Sequence, residues 1–182
     1  PNTDSLDTPH SRMAGAYVHG SDIWEIVVDA DHAGDRVINF SEEPEAEFRY
    51  RSAYTQNYHL YMPPLNGHYW HWLWGKALWT KREVFSSVGW SGQVKHLDSG
   101  RVTYEFYITP FDDLHPEGPE QSLVHNLTEN AIIPLGWAIL DADEKEDGFD
   151  AFWSLSKEQK LCCSGEYISD FKLMPVEKDL FK

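Results

Sequence analysis

Short runs of apolar residues, separated by clusters of turn residues, follow one another along the chain from Tyr17 onwards. Residues 47–54 alternate charged and aromatic side chains with a period of two, which is typical of a strand with one buried face. The spacing of the turn clusters is that of an all-β sandwich. The pattern predicts strands at residues 23–28, 46–53, 57–62, 68–74, 82–88, 102–108, 132–140 and 167–174.

Two regions depart from this pattern. Residues 1–16 are polar and have no period, so we expect a mobile lead-in followed by a single domain at residues 17–182. Residues 110–130 hold too many prolines for a regular element, although an aspartate cap predicts a short helical turn that starts at residues 112–114. The fold class that we predict is all-β, an antiparallel β-sandwich of jelly-roll or immunoglobulin-like type.

Two of the predicted strands end in alternating carboxylates. Asp29, Asp31 and Asp35 follow the first strand, and Asp141 and Asp143 follow a later one. Ca²⁺ takes about six to eight oxygen ligands and tolerates irregular loops. The alternative is a pair of solvated turns, because aspartate and glycine are common in turns. We predict a structural calcium site at the first group and a second one at Asp141 and Asp143, although neither loop has EF-hand spacing.

The composition limits the classes of partner. The chain has 30 acidic and 15 basic residues and a net charge of −15, which excludes nucleic acid and anionic membrane surfaces and favours neutral ligands and cations. Aromatic residues make up 14% of the chain and include eight tryptophans, more than a core of this size requires. Trp70, Trp72 and Trp74 alternate within one predicted strand, where they form either part of the core or a stacking platform.

The sequence contains no recognisable catalytic or redox motif. It has no nucleophile elbow, HExxH helix, phosphate loop or dinucleotide fingerprint, and nothing singles out a pair of catalytic carboxylates. The two cysteines, Cys162 and Cys163, are adjacent, so a bond between them would be strained, and they lack zinc-site spacing. No apolar run is long enough to span a membrane. We therefore predict a protein that is not an enzyme and does not insert into membranes.

Five blocks of sequence follow one another along the chain at residues 21–31, 45–50, 101–114, 133–143 and 152–154. The third is an aromatic and acidic strand that runs into Thr109-Pro110-Phe111, and the last is Phe152-Trp153-Ser154, a short Trp-Ser step. In this order the five blocks resemble strands of family 9 carbohydrate-binding modules. The resemblance implies a β-sandwich with bound Ca²⁺ that recognises the chain ends of an oligosaccharide or polysaccharide. The blocks are particularly similar to free-standing bacterial modules of this type. For such a module we expect a secreted or periplasmic location, and attachment to a larger protein stays an open alternative.

The resemblance also implies a set of ligand-binding residues. Glu25 and Arg49 fall where the family places polar sugar contacts, and Arg51 lies two residues further along the same strand. A carboxylate and a guanidinium can each bind a vicinal diol through two hydrogen bonds. The alternative is a structural salt bridge between neighbouring strands. The two tryptophans that clamp the sugar in the family have no counterpart here. We expect the aromatic wall to come instead from Tyr17, Tyr167, Trp70 and Trp72.

Two alternatives to a neutral-glycan module remain open. One is a structural or assembly domain that kept the sandwich and lost sugar binding. The other is a haem b-binding redox subunit similar to the γ subunits of ethylbenzene-dehydrogenase-type enzymes, which use Met and Lys ligands, whereas this chain offers only Met13, Met62 and Met174. About 20 residues precede the first matched strand, so either the early strands of the sandwich lie on a missing segment or the sandwich is trimmed.

Overall fold

The structure, a computed structural model, describes residues 22–32, 53–61, 71–73, 90–97, 101–141, 151–156, 161 and 165–176. Within these ranges the elements are ten strands and two short 3-10 helices, Pro119–Gln121 and Gly165–Tyr167. The strands are β1 (Ile23–Val28), β2 (Gln56–Tyr61), β3 (His71–Leu73), β4 (Trp90–Leu97), β5 (Arg101–Ile108), β6 (Phe111–Asp113), β7 (Leu123–Val124), β8 (Ile132–Asp141), β9 (Ala151–Ser154) and β10 (Ser169–Lys172). Each described strand pair is antiparallel, so the all-β class is confirmed.

The main sheet has the strand order β10-β8-β1-β2-β3. Its longest strand, β8, pairs with β1 along one side. On its other side β8 pairs with β10 near its start and with β9 near its end. Strands β4 and β5 form one separate two-stranded sheet, and β6 and β7 form another.

Both faces of β1 are buried, because successive side chains of a strand point to opposite faces. Ile23 and Val27 pack on one face with Ala138, Leu140 and Leu161. Ile26 and Val28 pack on the other face, in a larger core cluster that comprises Ile26, Val28, Ala30, Tyr58, Leu60, Leu73, Phe111 and Leu114. Apolar layers on both faces of the sheet are compatible with a sandwich.

A glycine lets the first of these layers close tightly over β8. A Cβ atom built on Gly136 would lie 2.5 Å from Cγ2 of Ile168 and 3.4 Å from Cδ1 of Leu161. The first distance is far below van der Waals contact. Gly136 therefore allows the segment that carries Ile168 to pack directly against the backbone of the sheet.

The apolar runs located several strands well. The predicted strands at 23–28, 57–62, 102–108 and 132–140 agree with β1, β2, β5 and β8 to within one residue at each end, and those at 68–74 and 167–174 contain the shorter β3 and β10. The predicted strand at 82–88 lies outside the described residues, as does the one at 46–53 except for Ala53. Ala53 is helical and not extended, and its carbonyl oxygen accepts a hydrogen bond from the Leu114 amide.

The prediction for residues 110–130 was wrong. This segment contains β6, β7 and one of the 3-10 helices, and the expected helical turn at 112–114 is replaced by β6. The physical reason is Phe111, which is completely buried and exchanges hydrogen bonds with the buried side chain of Gln56. This anchoring holds residues 111–113 extended, so that they pair with Leu123 and Val124.

The expectation of a mobile lead-in at residues 1–16 falls outside the described ranges. In the part of the chain that the structure does describe, no helix has the length and apolar character needed to cross a membrane.

Candidate functional site

A buried polar cluster lies near the middle of the main sheet. Glu25 on β1 is directly opposite His59 on β2, and Asn57 is two residues from His59 on the same strand, so all three side chains lie on one face. Oε1 of Glu25 accepts a hydrogen bond of 2.8 Å from Nδ2 of Asn57 and lies 3.3 Å from Nε2 of His59. The exposed fractions of Glu25, Asn57 and His59 are 4%, 1% and 4%.

One hydrogen-bond acceptor of this cluster has no partner among the described residues. The amide nitrogen of Asn57 donates to Glu25, but its side-chain oxygen, Oδ1, is buried and has no hydrogen-bond partner among the described residues. A buried polar atom without a partner costs about 1–3 kcal/mol. Such an atom has free capacity to accept a hydrogen bond from a ligand hydroxyl.

The cluster continues across the sheet to one of the predicted aromatic residues. The pairing of β2 with β3 places Trp72 opposite His59, so Glu25, His59 and Trp72 occupy one cross-strand row. Neighbouring positions in such a row are about 5 Å apart. The sheet thus brings together the positions of two predicted ligand-binding residues, Glu25 and Trp72. The other four, Tyr17, Arg49, Arg51 and Trp70, lie outside the described residues.

The alternative interpretation of Glu25 was a structural contact between adjacent strands. The structure shows such a contact, and its described partners are Asn57 and His59 of β2. The sequence pattern did not identify these two residues, because only the strand register places them beside the carboxylate. Their signal in the sequence is weak: Gln56-Asn57-Tyr58-His59 carries three polar residues inside a strand that is buried on both faces.

The two groups of aspartates that follow predicted strands, which we call the acidic steps, lie at opposite ends of the sheet. The amide of Asp29 donates to the carbonyl of Pro134 near the start of β8, whereas Asp141 ends that strand, close to the start of β1. The two positions are separated by the length of β1, roughly 20 Å. They therefore cannot share an ion.

The described carboxylates do not form the predicted calcium site by themselves. Asp29 is buried and Asp31 is exposed, while Asp35 and Asp143 lie outside the described residues. Within the ranges that the structure describes, no group of three or more His, Cys, Asp or Glu side chains could hold a metal ion. The calcium prediction therefore depends on contributions from Asp35 and Asp143.

Asp29 does line a polar cavity of about 380 Å³, which we call the acidic cavity. His32, Glu166 and Asp170 also line it, and Nε2 of His32 lies 3.1 Å from Oδ1 of Asp170. Tyr167, one of the expected aromatic wall residues, lies between two lining residues in the 3-10 helix Gly165–Tyr167. This cavity offers carboxylate oxygens that can accept hydrogen bonds from hydroxyl groups.

A second cavity, about 350 Å³ in volume, lies on the opposite face of the sheet. Trp24 on β1 and Trp137 on β8 both line it, and we call it the tryptophan cavity. Trp137 is paired with Ile26, so the two indoles are diagonal neighbours on one face. The sequence pattern placed both residues in strands without marking them as site residues, because an apolar run does not show which face is left open.

The remaining polar groups that we considered hold a turn together or are exposed. Nδ1 of His125 lies 2.6 Å from Oδ1 of Asp112. The hydroxyl of Ser122, three residues before His125 in the chain, donates a hydrogen bond to the carbonyl of Gly118 within a turn. Met174, a candidate haem ligand, is 77% exposed. The other two methionines, Met13 and Met62, lie outside the described residues.

Comparisons with protein-family models, with curated proteins and with solved structures found no match. The resemblance to family 9 carbohydrate-binding modules therefore stays a prediction from the sequence.

Proposed function

We propose that this protein is a non-catalytic carbohydrate-binding module that holds a neutral glycan against the polar cluster of Glu25, Asn57 and His59. The observation that carries the proposal is the buried side-chain oxygen of Asn57, which has no hydrogen-bond partner among the described residues. It lies on the same face as the carboxylate of Glu25, and an amide oxygen can accept a hydrogen bond from a ligand hydroxyl.

The residue types in the cross-strand row of Glu25, His59 and Trp72 suit a sugar ligand. A ligand hydroxyl can donate to the side-chain oxygen of Asn57, and the position of Trp72 in the same row carries a residue type that stacks on pyranose rings. Hydrogen bonds in a buried site of low dielectric are stronger than they are in water. The net charge of −15 opposes anionic glycans and leaves neutral ones as the favoured class.

The remaining parts of the proposal come from the resemblance. Arg49, Arg51, Tyr17 and Trp70 complete the site, and the ligand is bound at a chain end. Structural Ca²⁺ is held by the acidic steps, and the module is secreted or periplasmic and attached to a larger protein. The affinity is modest, since only the surplus over the cost of ordering the ligand contributes to binding.

The burial of the cluster favours a second candidate, an assembly domain without sugar binding. Glu25 and His59 have side chains that are only 6% exposed, and a buried polar pair can serve to hold the register of two strands. In that case the contact between Glu25 and Asn57 is purely structural.

The decisive experiment measures retention of the purified protein on an array of neutral oligosaccharides. Glu25→Gln removes the charge with little change in shape, and Glu120→Gln on the exposed 3-10 helix Pro119–Gln121 is a matched control with the same change in charge. We expect Glu25→Gln to weaken retention by about tenfold or more, as loss of a charged hydrogen-bond partner does. We expect the control to bind like the wild type.

Arg49→Ala extends the test to the residue implied by the resemblance, and it should abolish retention while the protein stays folded. A wild-type protein that is retained by no oligosaccharide, and whose tryptophan fluorescence does not change, rules out the glycan proposal. A Glu25→Gln variant that loses stability but not retention identifies the cluster as structural.

A further inference from the structure

The tryptophan cavity is lined by residues from several parts of the chain. Trp24 on β1 and Trp137 on β8 line it, as do Ile108 at the end of β5, Pro110 and Leu127. Among the residues that the structure describes, those that line the cavity are all apolar or glycine, and their only polar side-chain atoms are indole nitrogens. One of the lining residues, Leu127, is 50% exposed.

A cavity with this lining is poorly suited to water. An ordered water molecule needs about two to four polar partners. If the space is left empty, the surrounding side chains lose dispersion contacts on that side. An apolar molecule restores those contacts and needs no hydrogen bonds. The volume of about 350 Å³ is within the range of small-molecule pockets.

We propose that the tryptophan cavity binds an uncharged hydrophobic small molecule with a flat ring or a short alkyl chain. The two indoles lie diagonally on neighbouring strands and present aromatic surface to such a ring. A carboxylate or an ammonium group meets no counter-charge among the described lining residues and would lose its hydration. This site does not depend on the proposed glycan site, because Glu25 faces the opposite side of the sheet from Trp24.

The probe is N-phenyl-1-naphthylamine, an uncharged aromatic dye that fluoresces in apolar surroundings. We expect the full-length wild-type protein to bind it saturably with one site. A matched pair of competitors then tests the charge: 1-octanol should displace the dye, and octanoate at the same concentration should not. Displacement by both competitors alike would overturn the inference that the ligand is uncharged, and failure of the wild type to bind the dye would overturn the site.

Two filling variants test the location. Leu127→Trp and Leu173→Trp place a bulky ring in the cavity, and Leu123→Trp and Met174→Trp are controls at exposed positions outside its lining. We expect each filling variant to weaken dye binding by about tenfold or more, since the ring takes space that the dye needs. The controls should bind the dye like the wild type.

The melting temperature of each variant shows whether it is folded. If folded filling variants bind the dye as well as the wild type does, or if the controls lose binding equally, the dye does not occupy this cavity and the proposal is wrong. Glu25→Gln should keep full dye binding even if it loses glycan retention, so failure of either proposal is distinguishable from failure of the other.

Discussion

Replacing Gly136 with alanine tests how tightly the apolar layer closes over β8. The new Cβ would lie 2.5 Å from Cγ2 and 3.1 Å from Cβ of Ile168, so Ile168 must move or change its rotamer. Overpacking of this kind costs about 1–3 kcal/mol. Alanine is otherwise preferred to glycine inside a strand by roughly 0.5–1 kcal/mol. The expected net loss in the free energy of unfolding is therefore about 1–2 kcal/mol.

The assay is equilibrium denaturation in urea together with thermal melting. A loss of this size should lower the melting temperature by about 2–8 °C for a chain of this length. The physical cause is isolated by a double-mutant cycle with Ile168→Ala, which removes the obstructing Cγ2 atom. Gly136→Ala should cost less in that background than in the wild type.

Two results would refute this reasoning. If the Gly136→Ala variant is as stable as the wild type, the segment that carries Ile168 can move away from the new Cβ without loss of unfolding free energy. An equal cost in both backgrounds would show that the destabilisation does not come from contact between the two side chains.

Three further predictions concern ionisation, metal and packing. Burial raises the pKa of the Tyr58 hydroxyl above its usual value of 10.0. An unfolded tyrosine therefore loses its proton first, and stability should fall as the pH rises above about 10. Tyr58→Phe should flatten that dependence in denaturation curves, and an unchanged slope would contradict it. Chelation of Ca²⁺ should lower the melting temperature by removing a ligand of the native state, whereas an unchanged melting curve would leave only the turn interpretation of the acidic steps. Leu73→Ala in the core should cost about 2–5 kcal/mol in chemical denaturation, against less than about 0.5 kcal/mol for Leu123→Ala on the surface. Equal costs would show that Leu73 is not part of a packed core.

The apolar pattern determined the two central strands, β1 and β8. β1 is apolar apart from Glu25 and β8 is apolar apart from its last residue, Asp141, and a mainly apolar run remains visible whatever the strand packs against. β4 was missed, because its sequence Trp90–Leu97 mixes serine, glycine, glutamine, lysine and histidine, and only its pairing with β5 holds it extended. β6 was missed for a related reason, since the anchor of Phe111 is a glutamine 55 residues away along the chain.

The sequence by itself determined the all-β class, the acidic character and, through the family resemblance, Glu25 as a site candidate. Only the tertiary structure decided which side chains are its neighbours. Asn57 and His59 lie beside Glu25, and Trp24 lies near Trp137 on the opposite face, because the strand register fixes which residues meet. A shift of the register by one residue would move each of these side chains to the other face. The periodicity of a single strand carries no information about this pairing.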